Sequence, residues 1–308
     1  MVSVQNMMAF ARAEIRLNRR LVRFWFFISI SYLLAFIIFL IYSVLHGVYS
    51  SYSATEALLN LHYNIGTIGL YYLLIYIGGA IFLGFDVRAR DQRELMSEVL
   101  DSRPYTNLEL VSGRFLGLLI CSWIPIIVLA VILEFLGLLL PLPFGDTIEI
   151  YSLFAFVFLM ALPALALIIS LVFLVTLLIR NRLMAAVVLL ILAGGDFWAI
   201  FNLPSVYSPL VDLTGSTIIS VPSDIIPSLT SMEGWLQRIG MLLAAFALIG
   251  FSAAVHPRPD GYSRKSLYAS SIGVFILSLM MTGLGFYQNI NDIKMADTWK
   301  EADRKSVV

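Results

Sequence analysis

The sequence predicts an all-α polytopic membrane protein. Three observations carry this: apolar blocks of membrane-crossing length recur along the chain, charge is scarce, and basic residues gather in every second loop. Of 308 residues, 60% are hydrophobic and 13% charged, against about 45–50% and 25% in soluble domains. The excess sits in runs of roughly 20 or more apolar residues, enough to cross about 30 Å of hydrocarbon as a helix. The formal net charge is zero, so bulk charge points to no nucleic-acid partner. The single cysteine, Cys121, lies inside an apolar run and forms no internal disulfide.

The first element is MMAFARAEIRLNRRLVRF. Ala9, Phe10, Ala13, Ile15 and Leu17 alternate with Arg12, Arg16, Arg19 and Arg20. This reads as a basic amphipathic helix at the headgroups, an interfacial elbow over residues 1–22. The apolar run after Arg23 is too long for a signal-peptide core and reads as an anchor that stays. Seven spans follow, at Leu21–Leu45, Ile65–Phe85, Leu108–Leu140, Tyr151–Ile179, Leu183–Phe201, Trp235–Val255 and Leu267–Ile290. Pro125 and Pro163 fall inside the third and fourth, and each removes one backbone bond. Each is read as one kinked span, the alternative being two half-helices.

Loop charge sets the orientation. With the N-terminus inside, the inner segments hold 15 of the 20 basic residues. The outer loops hold only Arg238 before the C-terminal tail, whose four basic residues are Lys294, Lys300, Arg304 and Lys305. The longest outer loop, 202–234, is rich in proline, and its part SDIIPSLTSMEGWLQRIG suits short helices against the membrane face. Residues 256–290 form an inner linker and the seventh span. Residues 291–308 are a polar tail, expected outside.

One charged insert interrupts the apolar pattern, RDQRELMSEVLDSRPYTNLELVSGRFLG at Arg90–Gly117. Asp91 and Glu94 suit a helix start. Leu95 and Val99 share a face, and Pro104 ends the helix near Arg103. Thr106 and Glu109 then have capping-box spacing at the start of a second helix that runs into the third span. Arg114, one turn in, can snorkel to the headgroups. A plain interfacial helix is one reading. Its mixed charge favours recognition of another protein.

These residues resemble a family. Leu100-Asp101-Ser102-Arg103-Pro104-Tyr105-Thr106-Asn107-Leu108-Glu109-Leu110-Val111-Ser112-Gly113-Arg114 is similar to the pattern L-S-R-P-x-S/T-R-x-E-L-V-x-G-K of type-2 ABC exporter permeases. Asn107 replaces a usual basic residue and Arg114 a usual lysine. An elbow helix, six spans over about residues 5–255 and a structured outer loop fit the same layout. The resemblance implies a six-helix permease domain over 23–255, with loop 86–109 as the coupling segment that docks on an ATPase. The residues it points to are Arg90, Arg93, Glu94, Glu98, Asp101, Arg103 and Pro104. The seventh span is extra, as in relatives that carry an extracytoplasmic domain. The implied partners are two ABC ATPase subunits that hold ATP and Mg, a second permease subunit, membrane lipids and an extracytoplasmic protein. The implied site is the cell (inner) membrane. No G-x-x-x-x-G-K-[ST] loop occurs, so no cofactor is expected in this chain itself.

Glu134 and Asp196 lie within spans, where a charge at the helix centre costs roughly 2.5–3.5 kcal/mol on insertion scales. Both map toward the outer ends. Arg238 is a candidate partner for either. Structural pairing and a pathway or gating role both remain open for the three, and Gly194 and Gly195 allow close helix approach in either case. The histidines, His46, His62 and His256, form no HExxH, and no G-x-S-x-G occurs, so the chain is not expected to be an enzyme. A membrane anchor for an extracytoplasmic partner, without transport, is the alternative function.

Overall fold

The computed structural model describes residues 3–50, 61–85, 105–139, 153–179, 181–204, 206–217, 230–258 and 264–306. Its helices are α1 (Val4–Arg20), α2 (Val22–Ser50), α3 (Leu61–Gly84), α4 (Asn107–Leu139), α5 (Leu162–Leu178), α6 (Arg182–Asn202), α7 (Ser208–Val211), α8 (Met232–Val255) and α9 (Arg264–Ser306). A π-helical stretch, Ala155–Ala161, leads directly into α5. Six of these helical stretches are long and apolar enough to cross a membrane, and α3 adds a shorter apolar stretch at Gly69–Gly84. The chain is therefore an all-α, multi-pass membrane protein, and each of the seven expected spans falls on one helix.

The turn after α8 touches the start of α4 at one end of the bundle, where Arg258 Nη1 donates to the Tyr105 carbonyl. Asn289 of α9 donates to the Val206 carbonyl at the other. The first is called here the elbow end, because α1 packs there, and the second the far end.

The fourth span is the centre of the bundle. Its apolar stretch is 72% buried, against 11% for α6 and 17% for α9, so those two leave most of their surface to lipid or to another chain. Proline shapes the interior in two ways. α4 passes Pro125 as one helix, and the Tyr32 hydroxyl from α2 donates to the Pro125 carbonyl at 2.8 Å. At Pro163 the helix instead enters through the π-helical turn. The proline ring lacks an N–H and crowds the preceding turn, and a wider turn relieves that crowding. The Trp123 indole of α4 donates to the Val157 carbonyl in this wide turn at 2.9 Å.

α8 and α9 pack along their length through small residues. A Cβ at Gly240 would meet Thr282 Oγ1 at 2.5 Å, and one at Gly285 would meet the Glu233 carbonyl at 3.0 Å. The Ser278 hydroxyl donates to the Gly240 carbonyl at 2.7 Å. Close backbone approach of this kind drives helix association in lipid, where the hydrophobic effect gives little between helices. The seventh span is thus built into the bundle. Its helix also continues beyond the apolar part, which ends at Met295, to Ser306. The segment expected as a polar tail is helical because DIKMADTWKEADRKS holds no proline or glycine after Gly285 to stop it.

The one helix of the far-end loop among the described residues is α7, earlier than the SDIIPSLTSMEGWLQRIG segment expected to hold short helices. Residues 218–229 lie outside the described residues. So do Arg90, Arg93, Glu94, Glu98, Asp101, Arg103 and Pro104, with the amphipathic helix expected there.

Candidate functional site

At the elbow end the expected capping box is formed. Glu109 N–H donates to Thr106 Oγ1, and Thr106 N–H donates to Glu109 Oε2, both at 3.2 Å. The same carboxylate does a second task. Its Oε1 accepts from the backbone N–H of Ser3, and its Oε2 from Asn6 Nδ2 at 3.0 Å. Ser3 is the N-cap of α1. One carboxylate therefore caps the positive ends of two helices 106 residues apart in sequence. Replacing Glu109 by alanine is expected to cost about 1–3 kcal/mol, read as a lower unfolding temperature in detergent. Glu109→Gln should lose less, because glutamine still serves the third helical position.

α1 crosses α4 at Gly113 and Gly117. A Cβ at Gly113 would sit 2.6 Å from the Met7 carbonyl, and one at Gly117 would sit 2.7 Å from Glu14 Cβ and 2.9 Å from the Ala11 carbonyl. The buried face of α1 is Ala11, Glu14 and Asn18. Of the apolar residues noted in the sequence, Ala9 and Ala13 are exposed, while Phe10 and Ile15 are partly buried. Burial of Glu14, 2% exposed, is made tolerable by Asn18, whose Nδ2 donates to its Oε1 at 3.1 Å and to its carbonyl at 3.0 Å. Leu21, in extended conformation, is the elbow itself. The Trp25 indole then reaches back to the Arg19 carbonyl at 2.8 Å.

Tyr105 and Asn107, in the second half of the charged insert, are held from two sides. The Tyr105 ring meets Phe10 of α1 edge-on, with centroids 4.8 Å apart. The Arg258 guanidinium lies 4.0 Å from the centre of the same ring. Asn107 Nδ2 donates to the Arg258 carbonyl at 2.9 Å. A cationic residue at 107 would bring charge close to Arg258, so asparagine suits this junction.

At the far end the decisive residue is Arg238, 3% exposed. Its Nη1 donates to the Leu213 carbonyl at 3.0 Å, and its Nη2 to the Asp212 carbonyl at 2.8 Å and to Gln237 Oε1 at 2.9 Å. Gly215, with φ +84°, lies directly on the guanidinium: a Cβ there would be 2.7 Å from Arg238 Cζ. The Asp212 carboxylate, 1% exposed as a residue, shapes this turn by accepting from Thr214 Oγ1, Gly215 N–H and both Thr217 donors. Asp212 was not visible as a site residue in the sequence, although D-x-T-G-x-T is a local signal for such a side-chain-bonded turn.

The sequence offered Glu134 or Asp196 as partners of Arg238. The guanidinium instead holds main-chain carbonyls of the far-end loop. Asp196 lies within its electrostatic reach. Glu134 is buried on α4 and does not line the cavity that Asp196 lines. That cavity, about 580 Å³, lies between α6, α7, α8 and α9. Among the described residues, no group of His, Cys, Asp and Glu could hold a metal ion.

No known family model, curated protein or solved structure matches this chain.

Proposed function

We propose that the chain is the membrane-spanning permease subunit of an ATP-driven ABC exporter, in the cell membrane with its N-terminus in the cytoplasm. The observation that supports this best is the clamp on Tyr105–Glu109. These residues, at the end of the loop 86–109, are tied to α1 through Glu109 and Phe10, and to the α8–α9 turn through Arg258. A partner that moves the loop would therefore move α1, α4, α8 and α9 together. On this reading loop 86–109 is the coupling segment. Two ATPase subunits supply ATP and Mg, and a second permease subunit lies against the poorly buried helices. On this reading Asp196 and Arg238 belong to the outer end and take a pathway or gating role.

Charge reversal at Glu98 or Asp101 is expected to weaken ATPase docking and to leave membrane insertion intact. The readout is the ATPase activity of the purified complex together with co-purification from the native membrane. Full coupled activity in both Glu98→Arg and Asp101→Arg would rule out the loop as the docking site. The helical continuation of α9 to Ser306 favours a second reading, an anchor for an extracytoplasmic protein. That reading gains if mild-detergent purification recovers such a protein in stoichiometric amount and no P-loop ATPase.

A further inference from the structure

The cavity beside Asp196 has a chemistry of its own. Its walls are mainly apolar, with Leu167, Ile191, Met241, Phe275 and Leu279 among them. Its volume falls in the range of about 300–1,000 Å³ typical of small-ligand sites. The polar groups on its walls are engaged with the protein. The Ser278 hydroxyl donates to the Gly240 carbonyl, the Thr282 hydroxyl to the Ser278 carbonyl, and Gln237 is bonded to Arg238 and Asp212. Asp212 also lines it, but its carboxylate is taken up by Thr214, Gly215 and Thr217. Arg238 is spent on two carbonyls and Gln237 and does not line the cavity. Asp196 makes no hydrogen bond to it among the described residues. Among the described residues, the lining therefore offers a second carboxylate, that of Asp196, in a mostly apolar space. Among the described residues, this corner holds two carboxylates and one guanidinium. A carboxylate so placed is stabilised most by a cation that brings its own apolar surface, since the attraction is strong where water is scarce. Phe275 adds an aromatic ring of the kind that attracts cations.

We propose that this cavity is a binding site for a lipophilic monovalent cation, with Asp196 as its counter-ion and the seventh span as one wall. The site holds whether or not the chain works with an ATPase, so its test is separate from that of the transport reading.

The test is equilibrium binding of tetraphenylphosphonium to the full-length protein in lipid nanodiscs, with empty nanodiscs subtracted for partition into lipid. Tetraphenylborate, of the same shape and opposite charge, is the paired probe. The expected result is saturable binding of the cation alone, weakened at least about tenfold by Asp196→Asn. Asparagine keeps the size and shape of the side chain, so the fold is retained. Gly195→Leu supplies an independent variant. A Cβ at Gly195 meets no atom within 4 Å, and Gly195 lines the cavity, so a larger side chain is accepted at its edge without strain. It should weaken saturable binding at unchanged unfolding temperature. Equal binding of the two probes, binding unaffected by Asp196→Asn, or no saturable binding of the cation overturns the proposal.

Discussion

Gly117→Val is expected to displace α1 from the bundle. The new side chain would press on Glu14 Cβ and on the Ala11 carbonyl, and a main-chain atom cannot swing aside as a side-chain tip can. Overpacking of a close contact costs about 1–3 kcal/mol. Here it falls on a helix whose buried face includes Glu14 and Asn18, a pair that is tolerable only while the two stay bonded and covered. The measurement is tryptic cleavage at Arg12, Arg16, Arg19 and Arg20 in detergent, with the unfolding temperature beside it. Cleavage should speed up markedly in Gly117→Val and in Gly113→Val, whose Cβ would meet the Met7 carbonyl. Gly78→Ala is the control, because a Cβ there meets nothing within 4 Å. Unchanged cleavage in both valine variants would show that α1 is not held by this crossing.

Arg238→Met is expected to be the most destabilising single change at the far end. Methionine keeps the length of the stem and removes every donor. The Leu213 and Asp212 carbonyls and Gln237 Oε1 then lose their partner in a buried place, and each unsatisfied group costs about 1–3 kcal/mol. The total expected is about 3–5 kcal/mol, the scale of breaking a buried charged network. Arg238→Lys should recover only part, because an ammonium lacks the planar fork that reaches two carbonyls and an amide at once. Gly215→Ala should damage the same turn from the opposite side, since φ +84° suits glycine and the added methyl would overlap the guanidinium. Urea or thermal unfolding of the three variants in one detergent ranks them. An Arg238→Met protein as stable as the parent would show that the far-end loop does not depend on the guanidinium.

What the sequence revealed and what it hid divide along physical lines. The spans were legible because membrane crossing needs long apolar runs, a signal each segment carries alone. The Thr106–Glu109 box was legible for the same reason, since both partners lie within one helical turn. The second task of Glu109 was not. It depends on Ser3 and Asn6, more than 100 residues away, and no local pattern points to them. The four-residue spacing of Gly113 and Gly117 was a usable signal for close helix contact, but it does not say which helix arrives. The inward face of α1 was not legible because it includes Glu14 and Asn18, polar residues that satisfy each other and go inside. Arg238 stood out as the only basic residue in an outer loop before the tail. Its partners were hidden because they are main-chain carbonyls of Asp212 and Leu213, which any residue type supplies.

The double capping by Glu109 also sets a timetable for synthesis. The cap of α1 lies 106 residues downstream. At about 5–20 residues per second, the chain needs roughly 5–20 s after Ser3 to deliver that carboxylate. Throughout that interval α1 has neither its capping carboxylate nor the Gly113 and Gly117 surface on which to rest. Its four arginines give it an interim home among anionic headgroups. α1, made well before the helix it rests on, therefore docks only when the third span has emerged.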